Sequence, residues 1–356
     1  MKFSCDKYVL QQAAASAARA AAAKSPIPTL EGLLIEAGAS VRITGYDLKK
    51  AIYTTIDADI PEPGSVLIGA RLFCEMLRRM PDGIVTVEAE NGTVSVKCGK
   101  AAFNLVGLSA DDYPDLPVVE AENGVSLPQD LLKKMINECS FAVSTNESRP
   151  VYMGTLFEIE NNVLTMVSVD GYGDDCSFIV PGTALSDLER LCGDSDERVV
   201  LSVGSKHISF TVGNTVILSR RLEGDFLNYK KAIPESFRVT VKTARTDLLE
   251  VVERVSLIID SKNNAPLRLT FRKDAIDFVC TTPLGKAADS CPCEGEGGDL
   301  EIGFNDHYLS DALKAAPADE INVCLNTGSS PCILVPADGS DNFVYMVLPV
   351  RLRAGQ

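Results

Sequence analysis

A pattern of strands around one helix occurs three times in this chain, and the repetition constrains the fold more than any other feature. The copies span Val66–Pro117, Phe178–Pro234 and Leu300–Leu352. Each reads as a short apolar strand that ends in Gly or Pro, an amphipathic helix, and then further alternating strands. A unit of this length that recurs indicates related domains rather than one continuous core. The sequence therefore predicts a triplicated chain.

The segments that precede these copies also resemble one another. The Ala-rich segment Tyr8–Lys24 is predicted to be helical, because Ala is the strongest helix former and no Gly or Pro interrupts it. Helices predicted at Gln129–Phe141 and Arg245–Ile258 follow a strand in the same way. Two helices and many alternating strands per domain predict an α+β fold, with antiparallel sheets and helices on one side. The predicted domains are residues 1–120, 121–236 and 237–356.

The helix of the first copy shows the amphipathic pattern. It is predicted at Leu72–Met80, and its apolar face carries Leu72, Phe73, Met76, Leu77 and Met80. Basic side chains occupy other positions on this helix and on the other predicted helices. They are Arg19, Lys24, Arg71, Arg78, Arg79, Lys133, Lys134, Arg190, Arg245, Arg254 and Lys314. If the domains bring their helices to a common side, these residues form a positive lining on an acidic protein.

Composition and charge place the chain among globular proteins. Apolar residues make up 46% and charged residues 23%, which is ordinary for a folded chain and argues against disorder. The Ala-rich segment is not apolar enough for a membrane span, and the sequence has neither a secretory signal nor a Cys-x-x-Cys motif. We therefore expect a cytoplasmic protein with reduced thiols and no membrane partner. The net charge of −15 argues only weakly against a polyanionic partner, because binding depends on where charges lie.

The residue types that usually carry catalysis or bind metals do not form a recognisable site. His207 lies in an alternating strand and His307 at a helix start, and neither has the sequence context of a catalytic histidine. Cys291-Pro-Cys293 lacks a second ligand pair, so we predict a hairpin turn there. The acidic pairs Asp111-Asp112 and Asp174-Asp175 have no acidic counterpart in the other copies. We predict no catalytic residue, no metal ligand and no cofactor.

On the residues alone, two functions other than binding a polyanion remain open. A nuclease or hydrolase could use the acidic clusters with a divalent cation, and it would show metal-dependent turnover. A structural or peptide-binding repeat protein without a polyanionic partner would lack a basic concave face.

Several short stretches carry a resemblance to a known family. They are Pro28-Thr-Leu-Glu-Gly-Leu-Leu-Ile35, Thr44-Gly-Tyr-Asp47, Phe103-Asn-Leu105, Asp112-Tyr-Pro114, Glu147-Ser-Arg-Pro150, Val169-Asp-Gly-Tyr172, Glu301-Ile-Gly-Phe-Asn305 and Tyr345-Met-Val-Leu-Pro-Val-Arg-Leu352. With the triplication, their order resembles the bacterial DNA polymerase III beta subunit, the sliding-clamp family, over essentially all 356 residues. The resemblance implies a non-catalytic processivity factor and a head-to-tail homodimeric ring of six similar domains. Sheets would form its outer wall, and helices would line a hole threaded by double-stranded DNA.

The resemblance also implies which residues contact DNA. Lys24, Asn146 and Arg149 match family contacts in the hole, and charge adds Arg19, Arg71, Lys133 and Lys134. Cations that replace phosphate counterions attract DNA without reading its bases, so every register along the duplex has nearly equal energy. A closed ring would retain DNA topologically, which makes tight binding unnecessary.

Two protein-binding surfaces follow from the same resemblance. Phe103, Leu257 and Ile258 correspond to the apolar interface between domain 1 of one subunit and domain 3 of the other. A cleft between domains 2 and 3 would receive short motifs of the replicative polymerase, the clamp loader and repair proteins. Its matching residues are Tyr152, Val169, Gly171, Tyr172, Leu227, Lys231, Ala232, Asn305, Tyr308, Ser330, Met346, Leu348, Pro349, Val350 and Arg351.

One departure from the family lies after Tyr172. The family usually continues with Arg-Leu-Ala and a loop, whereas here Tyr172 is followed directly by Gly173-Asp-Asp-Cys176. The spacing agrees, since Gly69 and Pro181 are 112 positions apart while Pro181 and Gly303 are 122 apart. Our hypothesis is that a segment of a longer protein is missing here. An intact mass equal to 38.2 kDa would contradict it, and the cleft would then lack part of its wall.

Overall fold

The computed structural model describes residues 1–119, 124–160, 163–169, 178–260, 265–296 and 298–352. Within these ranges the chain forms two compact units. The first contains residues 1–136, 143–169 and 178–225, and the second contains 137–142 and 226–352. None of the helices in the described ranges has the length and apolarity needed to span a bilayer. The domain boundary predicted at residue 120 lies outside the described residues.

Seven α-helices and a larger number of short strands make up the described part of the chain. The helices are α1 (Lys7–Ala18), α2 (Ala70–Arg79), α3 (Gln129–Cys139), α4 (Gly182–Leu191), α5 (Tyr229–Ala232), α6 (Arg245–Ser256) and α7 (Asp306–Ala315). The strands are β1 (Lys2–Asp6), β2 (Gly32–Ala37), β3 (Val41–Tyr46), β4 (Lys50–Ile56), β5 (Asp59–Glu62), β6 (Gly64–Gly69), β7 (Ile84–Glu90), β8 (Thr93–Cys98), β9 (Ala101–Val106), β10 (Gly124–Pro128), β11 (Gly154–Glu160), β12 (Val163–Val167), β13 (Phe178–Pro181), β14 (Arg198–Val203), β15 (His207–Val212), β16 (Thr215–Arg220), β17 (Val239–Ala244), β18 (Leu267–Phe271), β19 (Ala275–Thr282), β20 (Gly285–Pro292), β21 (Glu294–Glu296), β22 (Leu300–Phe304), β23 (Glu320–Leu325), β24 (Cys332–Pro336) and β25 (Tyr345–Val347). Short 3₁₀ helices cover Pro28–Glu31, Ser140–Ala142 and Pro150–Tyr152.

The strands form antiparallel sheets in both units. In the first unit the strand orders are β5-β1-β7-β8-β9, β10-β14-β15-β16-β4-β3-β2-β6 and β12-β11-β13. In the second unit they are β21-β17-β23-β24-β25 and β20-β19-β18-β22. The predicted α+β fold with antiparallel sheets is confirmed.

The three repeats close in the same way. In each, the strand before the helix forms an isolated bridge with the chain that follows the third alternating strand. These bridges are Leu67–Leu108, Ile179–Leu222 and Gly303–Val350. In the first two repeats the turn between the second and third strands carries Gly99 and Gly213, whose φ angles are 58° and 55°. Only glycine adopts this backbone region without steric cost, so the repeat extends to the backbone of individual turns.

Helix α1 lies unusually close to the sheet beneath it. Its buried face consists of Leu10, Ala13, Ala14 and Ala17, which join the core formed with the neighbouring strands. A Cβ atom on Gly45 of β3 would come 2.0 Å from the Ala17 carbonyl oxygen. The two backbones are therefore in direct contact, which small residues at both positions permit.

The predicted end of the first helix is wrong, because α1 ends at Ala18 rather than at Lys24. The amides of Ala20 and Ala21 bond carbonyls only three residues back, at 3.0 and 3.2 Å. The amide of Ala22 then donates to the Leu30 carbonyl at 2.8 Å. A hydrogen bond to a distant part of the chain thus replaces the next helical bond, although Ala favours helix.

Two further local predictions are wrong. Helix α2 begins at Ala70, and its buried stripe is Ala70, Phe73, Met76 and Leu77, which leaves Leu72 60% exposed. The hairpin predicted at Cys291-Pro-Cys293 is instead the end of β20, and β21 follows in another sheet. Both of these thiols are buried, and burial raises the pKa of Cys291 and of Cys293.

The eight-stranded sheet continues across the sequence-predicted boundary between the first two domains. Strand β16 pairs with β4 from Thr215 opposite Thr54 to Ser219 opposite Lys50. The hydroxyl oxygens of Thr54 and Thr215 share a buried hydrogen bond of 2.9 Å. Lys50 Nζ forms an ion pair with Asp187 of α4, and the two side chains are only 12% and 7% exposed. We call this contact the internal junction; it joins two repeats edge to edge.

Candidate functional site

Three exposed basic side chains lie at the ends of the first two helices. Arg19 is the C-cap residue of α1, Lys24 lies in the turn that follows, and Arg71 is in the first turn of α2. The hydrogen bond from Ala22 to Leu30 holds this turn against the start of β2. Within the described residues, none of the three cations has an acidic partner. Their charges are therefore available to an anionic ligand.

The loop between α3 and β11 has a defined shape that presents Asn146 and Arg149 to solvent. The Asn146 side-chain oxygen accepts from the amide and the hydroxyl of Ser148, at 3.0 and 2.7 Å. The Arg149 amide donates to the Asn146 carbonyl at 3.0 Å. This turn orders the exposed segment that carries Arg149. Lys134 of α3 is also exposed.

Three other predicted lining cations of the first unit, Arg78, Arg79 and Lys133, have acidic neighbours. Arg78 and Arg79 both contact Glu75 of the same helix. Their hydrogen bonds and charges, the bond from Arg79 above all, lower the pKa of the Glu75 carboxyl. Lys133 Nζ lies 2.6 Å from Asp194 Oδ1. These pairs reduce the positive charge that the helix sequences alone suggest.

The same pairing occurs in the second unit. Arg254 Nε lies 2.8 Å from Asp289 Oδ2, and Lys314 Nζ lies 2.9 Å from Glu253 Oε1. Arg245 donates to two backbone carbonyls at 2.9 and 3.2 Å. These three predicted lining cations of the second unit therefore bind groups of the protein itself.

The predicted subunit-interface residues lie at exposed places of the two units. Phe103 is 42% exposed on β9, which is an edge strand of its sheet. Leu257 follows α6 and is 82% exposed, and Ile258 beside it is half-buried. Their apolar side chains are therefore accessible on the surface of the two units.

Helix α7 positions two residues of the predicted partner cleft. The Asn305 side chain caps the helix, and its oxygen accepts from the amides of His307 and Tyr308 at 3.0 and 3.3 Å. Tyr308 is exposed in the first turn. Asn305, His307 and Val350 border a small recess that is open to solvent.

The C-terminal segment runs beside the strand that leads into α7. The Val350 amide donates to the Gly303 carbonyl at 2.8 Å. A Cβ atom at Gly303 would come 2.6 Å from the Leu352 side chain and 2.9 Å from the Val350 carbonyl, so glycine permits this approach. In β25 the side chains of Tyr345 and Val347 are buried, whereas Met346 is half-buried and Leu348 after it is exposed.

The remaining cleft residues are distributed over both units. Leu227, Lys231 and Ala232 lie in or beside the short helix α5, Ser330 lies in a turn closed by its hydroxyl, and Pro349 and Arg351 belong to the C-terminal segment. Tyr152 is buried in the first unit, which also contains Val169. Gly171 and Tyr172 lie outside the described residues, as does the predicted deletion.

One exposed edge strand, β20, was not predicted from the sequence. Strand β20 is an edge of its sheet, as β9 is, and its residues from Gly285 to Ser290 are largely exposed. The turn before β20 is the sequence feature that could have identified this strand. The Thr282 hydroxyl accepts from the Leu284 amide at 3.1 Å, as the Asp47 carboxylate accepts from the Lys49 amide at 2.9 Å. β20 therefore occupies the place in its repeat that β4 occupies in the first.

The described residues contain no group of three or more His, Cys, Asp or Glu side chains that could hold a metal ion. Burial raises the pKa of the Cys74 and Cys192 thiols to about 11, so neither provides a nucleophilic thiolate at neutral pH. His207 has a lowered pKa because of partial burial and the nearby Arg220 and Lys206. The site features described above are binding surfaces rather than a catalytic constellation.

Comparison with known proteins gives one consistent result. Models of the DNA polymerase III beta subunit match residues 1–117 as its N-terminal domain, 126–228 as its central domain and 230–351 as its C-terminal domain. The beta sliding clamp of Bacillus subtilis is 29% identical and covers 99% of this chain and 100% of that protein, and the beta sliding clamp of Staphylococcus epidermidis is 31% identical over 94% of each. The crystal structure of the B. subtilis DNA polymerase sliding clamp has a TM-score of 0.94 at 28% identity and covers 99% of this chain and 100% of that one. The DNA polymerase III subunit beta of Pseudomonas aeruginosa has a TM-score of 0.93 at 26% identity with the same coverage.

The alignment with the B. subtilis protein spans 377 positions whereas this chain has 356 residues, so the alignment places gaps in this chain. The matched domain models follow one another from residue 1 to residue 351. The chain therefore belongs to the DNA polymerase III beta subunit family, the non-catalytic beta sliding clamps.

Proposed function

We propose that this chain is a cytoplasmic sliding clamp that encircles duplex DNA as a head-to-tail homodimer and tethers the replicative DNA polymerase. Each subunit would contribute three domains, residues 1–120, 121–236 and 237–356, so that two subunits close a ring of six. Family membership supports the proposal, and the internal junction between β16 and β4 is the observation that carries it. A second copy of the chain can repeat that junction, because the two equivalent strands, β9 and β20, are sheet edges.

The equivalence of these strands follows from matching turns. Ile217 comes four residues after Gly213, and Phe103 comes four residues after Gly99, the glycines with equivalent positive φ. Ile52 and Ala287 each come five residues after the side chain that caps the turn, Asp47 or Thr282. Since Ile217 lies opposite Ile52 at the internal junction, Phe103 would lie opposite Ala287 of the partner subunit.

The side chains at these positions complement each other in size. At the internal junction Ile217, Ile52 and Ala20 belong to one buried cluster. At the proposed subunit contact the equivalent residues are Phe103, Ala287 and Ile258, where Ile258 follows the end of α6 as Ala20 follows the end of α1. Phe103 is larger than its counterpart Ile217 and would meet Ala287, which is smaller than its counterpart Ile52. Ile258 is larger than its counterpart Ala20. An apolar, well-packed contact of this kind is typical of a stable interface, and edge strands supply the backbone hydrogen bonds.

DNA binding in this proposal depends on exposed cations and not on base contacts. The proposed DNA-contacting residues are Lys24, Asn146, Arg149, Arg19, Arg71, Lys133 and Lys134. Lys133 contributes least, since Asp194 already neutralises it. A few phosphate contacts give weak, salt-sensitive attraction, which permits movement along the duplex.

The partner cleft would bind short motifs of the polymerase, the clamp loader and repair proteins. The second unit supplies an exposed Tyr308, a capped helix start and a C-terminal segment with the exposed Leu348. Apolar side chains with a few oriented polar groups are typical of a groove that binds an extended peptide. The proposed cleft residues are the set given in the sequence analysis, from Tyr152 to Arg351.

Retention on DNA tests the proposal directly. The protein is loaded onto labelled circular duplex DNA, the DNA is linearised in half of the sample, and bound protein is measured over time. We expect retention on circles and rapid loss from linear DNA, because only free ends release a ring. Equal loss from both would contradict encirclement and favour a repeat protein without a DNA role.

A matched pair of variants gives the control. Phe103→Asp places a charge in the proposed subunit contact and should abolish both the dimer and the retention. Ile84→Asp alters another exposed apolar residue of the same domain and should leave both unchanged. Sedimentation velocity establishes the oligomeric state of each variant before the DNA assay.

A further inference from the structure

A cluster of basic residues lies where the β3–β4 and β14–β15 turns meet the end of β16. The Arg220 amide donates to the Lys49 carbonyl at 2.9 Å, and the Arg221 amide donates to the Lys206 carbonyl at 2.9 Å. His207 lies directly opposite Arg220 in the sheet. We call Lys49, Lys206, His207, Arg220 and Arg221 the strand-end cluster; the residues come from distant parts of the sequence.

The cluster is positive in spite of two acidic neighbours. Glu223 lies 3.4 Å from Arg220, and both side chains are largely exposed, so the pair is weak. The Asp47 carboxylate accepts from the amides of Lys49 and Lys50 and keeps its negative charge, but the four Lys and Arg side chains of the cluster outnumber these two carboxylates. Lys49 and Lys206 remain exposed. Partial burial, and to a smaller extent the charges of Arg220 and Lys206, lower the pKa of His207.

The cluster shares one end of the sheet with residues proposed to contact DNA. Leu34 lies opposite Thr44, so the start of β2 and the turn after β3 are at the same end. The segment from Lys24 to the start of β2 is held there, since the Ser25 amide donates to Glu31 at 2.8 Å. Ser219 lies opposite Lys50, which brings the end of β16 to that same end.

The loop that carries Arg149 lies beside the chain that leaves β16. Leu222 bridges Ile179 of β13, and an added Cβ at Gly224 would lie 3.6 Å from Val151. Arg149 is therefore close in the fold to the residues that follow Arg220. The exposed cations Lys49, Lys206 and Arg220 of the cluster therefore lie near Lys24 and Arg149 in the first unit.

We infer that Lys49, Lys206 and Arg220 form a second contact with the phosphates of duplex DNA, adjacent to the contact made by Lys24 and Arg149. This inference rests on the proposed DNA-binding function and names a further site for the same ligand. Lys49, Lys206 and Arg220 lie at one end of the sheet, so one phosphate backbone can neutralise them together with the neighbouring Lys24 and Arg149. This arrangement favours DNA over an acidic protein segment. Arg221 is positioned differently, since it donates to the carbonyls of Gly204 and Ser205.

The salt dependence of duplex binding tests the inference. Binding of the full-length protein to a fluorescent linear duplex is measured by anisotropy at several low salt concentrations. Each phosphate contact contributes about 0.9 to the slope of log K against log salt, so the triple variant Lys49→Ala/Lys206→Ala/Arg220→Ala should lose roughly 2 to 3 from that slope. Lys273→Ala is the matched control, because Lys273 is an exposed lysine in the turn between β18 and β19 of the second unit. Lys49→Ala should reduce the slope and Lys273→Ala should not.

Each outcome separates this inference from the proposed function. If the wild-type protein is retained on circular DNA but the triple variant keeps the full slope, the strand-end cluster does not bind phosphates. If the triple variant keeps the slope and instead loses binding to a poly-glutamate peptide, the cluster binds an acidic protein segment. If the wild type shows neither retention nor salt-dependent binding, the proposed function itself fails. Circular dichroism and dimerisation of the triple variant must match the wild type, and unchanged folding is expected because Lys49, Lys206 and Arg220 are exposed.

Discussion

Replacing Lys50 with Met should destabilise the internal junction strongly, because it leaves the Asp187 carboxylate buried without its cation. The Lys50 and Asp187 side chains are 12% and 7% exposed, and Ile52 and Leu188 of the adjacent core lie on the same strand and helix. Removing one partner of a buried ion pair typically costs about 3–5 kcal/mol, which is a large share of the stability of a domain. We expect Lys50→Met to reduce the free energy of unfolding of the first unit by an amount in this range.

The double variant provides the decisive comparison. Lys50→Met/Asp187→Leu replaces both charges with apolar groups of similar volume, and such exchanges are often neutral or stabilising. We therefore expect the double variant to recover most of the stability that Lys50→Met loses. Lys133→Met removes the cation of an exposed pair with Asp194, whose side chain is 87% exposed, and should have little measurable effect.

The assay must report on the first unit alone, since a chain of two units need not unfold in one step. Amide hydrogen exchange in β4 and β16 measures the opening of the internal junction, and urea unfolding measures the whole chain. Faster exchange in Lys50→Met, with recovery in the double variant, would support the reasoning. If Lys50→Met exchanges like the wild type, or if the double variant is as unstable as the single one, the pair does not stabilise the junction.

Three further outcomes are expected. Lys24→Ala should reduce the salt slope of duplex binding by about 0.9, whereas Arg254→Ala should leave it nearly unchanged because Asp289 already pairs with that arginine, and anisotropy titrations would measure both. Tyr308→Ala should weaken binding of a clamp-binding peptide by about 10-fold or more without changing the dimer, as measured by calorimetry and sedimentation; loss of the dimer would mean that the groove is wrongly placed. Gly45→Ala should lower the melting temperature, because its Cβ would lie 2.0 Å from a backbone oxygen and overpacking costs about 1–3 kcal/mol; an unchanged melting temperature would show that α1 can move away from β3.

The sequence predicted what depends on local pattern and missed what depends on contacts between distant residues. Alternation and the threefold repeat predicted antiparallel sheets with two main helices per domain, because both signals are read within one segment. The end of α1 was missed, since Ala favours helix while the bond from Ala22 to Leu30 is visible only in the fold. Leu72 lies four residues before Met76 and so fits the predicted apolar face, but the buried stripe of α2 runs through Ala70 and Phe73 instead.

The candidate site was predictable to a similar extent. The positions of cations along the helices are evident in the sequence, but their acidic partners come from other elements, as Asp289 of β20 does for Arg254. The edge position of Phe103 depends on which strands pair, and a repeat alone does not indicate an unpaired edge. The strand-end cluster was missed for the same reason, since Lys49 and Arg220 meet only when β4 pairs with β16.

The proposed ring has two kinds of edge-to-edge contact, and they differ in one respect that bears on how a clamp opens. At the internal junction Lys50 and Asp187 form a buried ion pair. At the proposed subunit contact, Gly285 takes the position of Lys50, three residues after the capping Thr282. Glu75 takes the position of Asp187, six residues after the strand-ending Gly69. Glu75 instead binds Arg78 and Arg79 of its own helix. The proposed subunit contact would therefore depend on apolar packing and strand pairing, without a buried charge pair that separation would leave uncompensated. Two subunits joined in this way can part without leaving such a charge unpaired, whereas the internal junction cannot, so the ring should open between subunits and not within one.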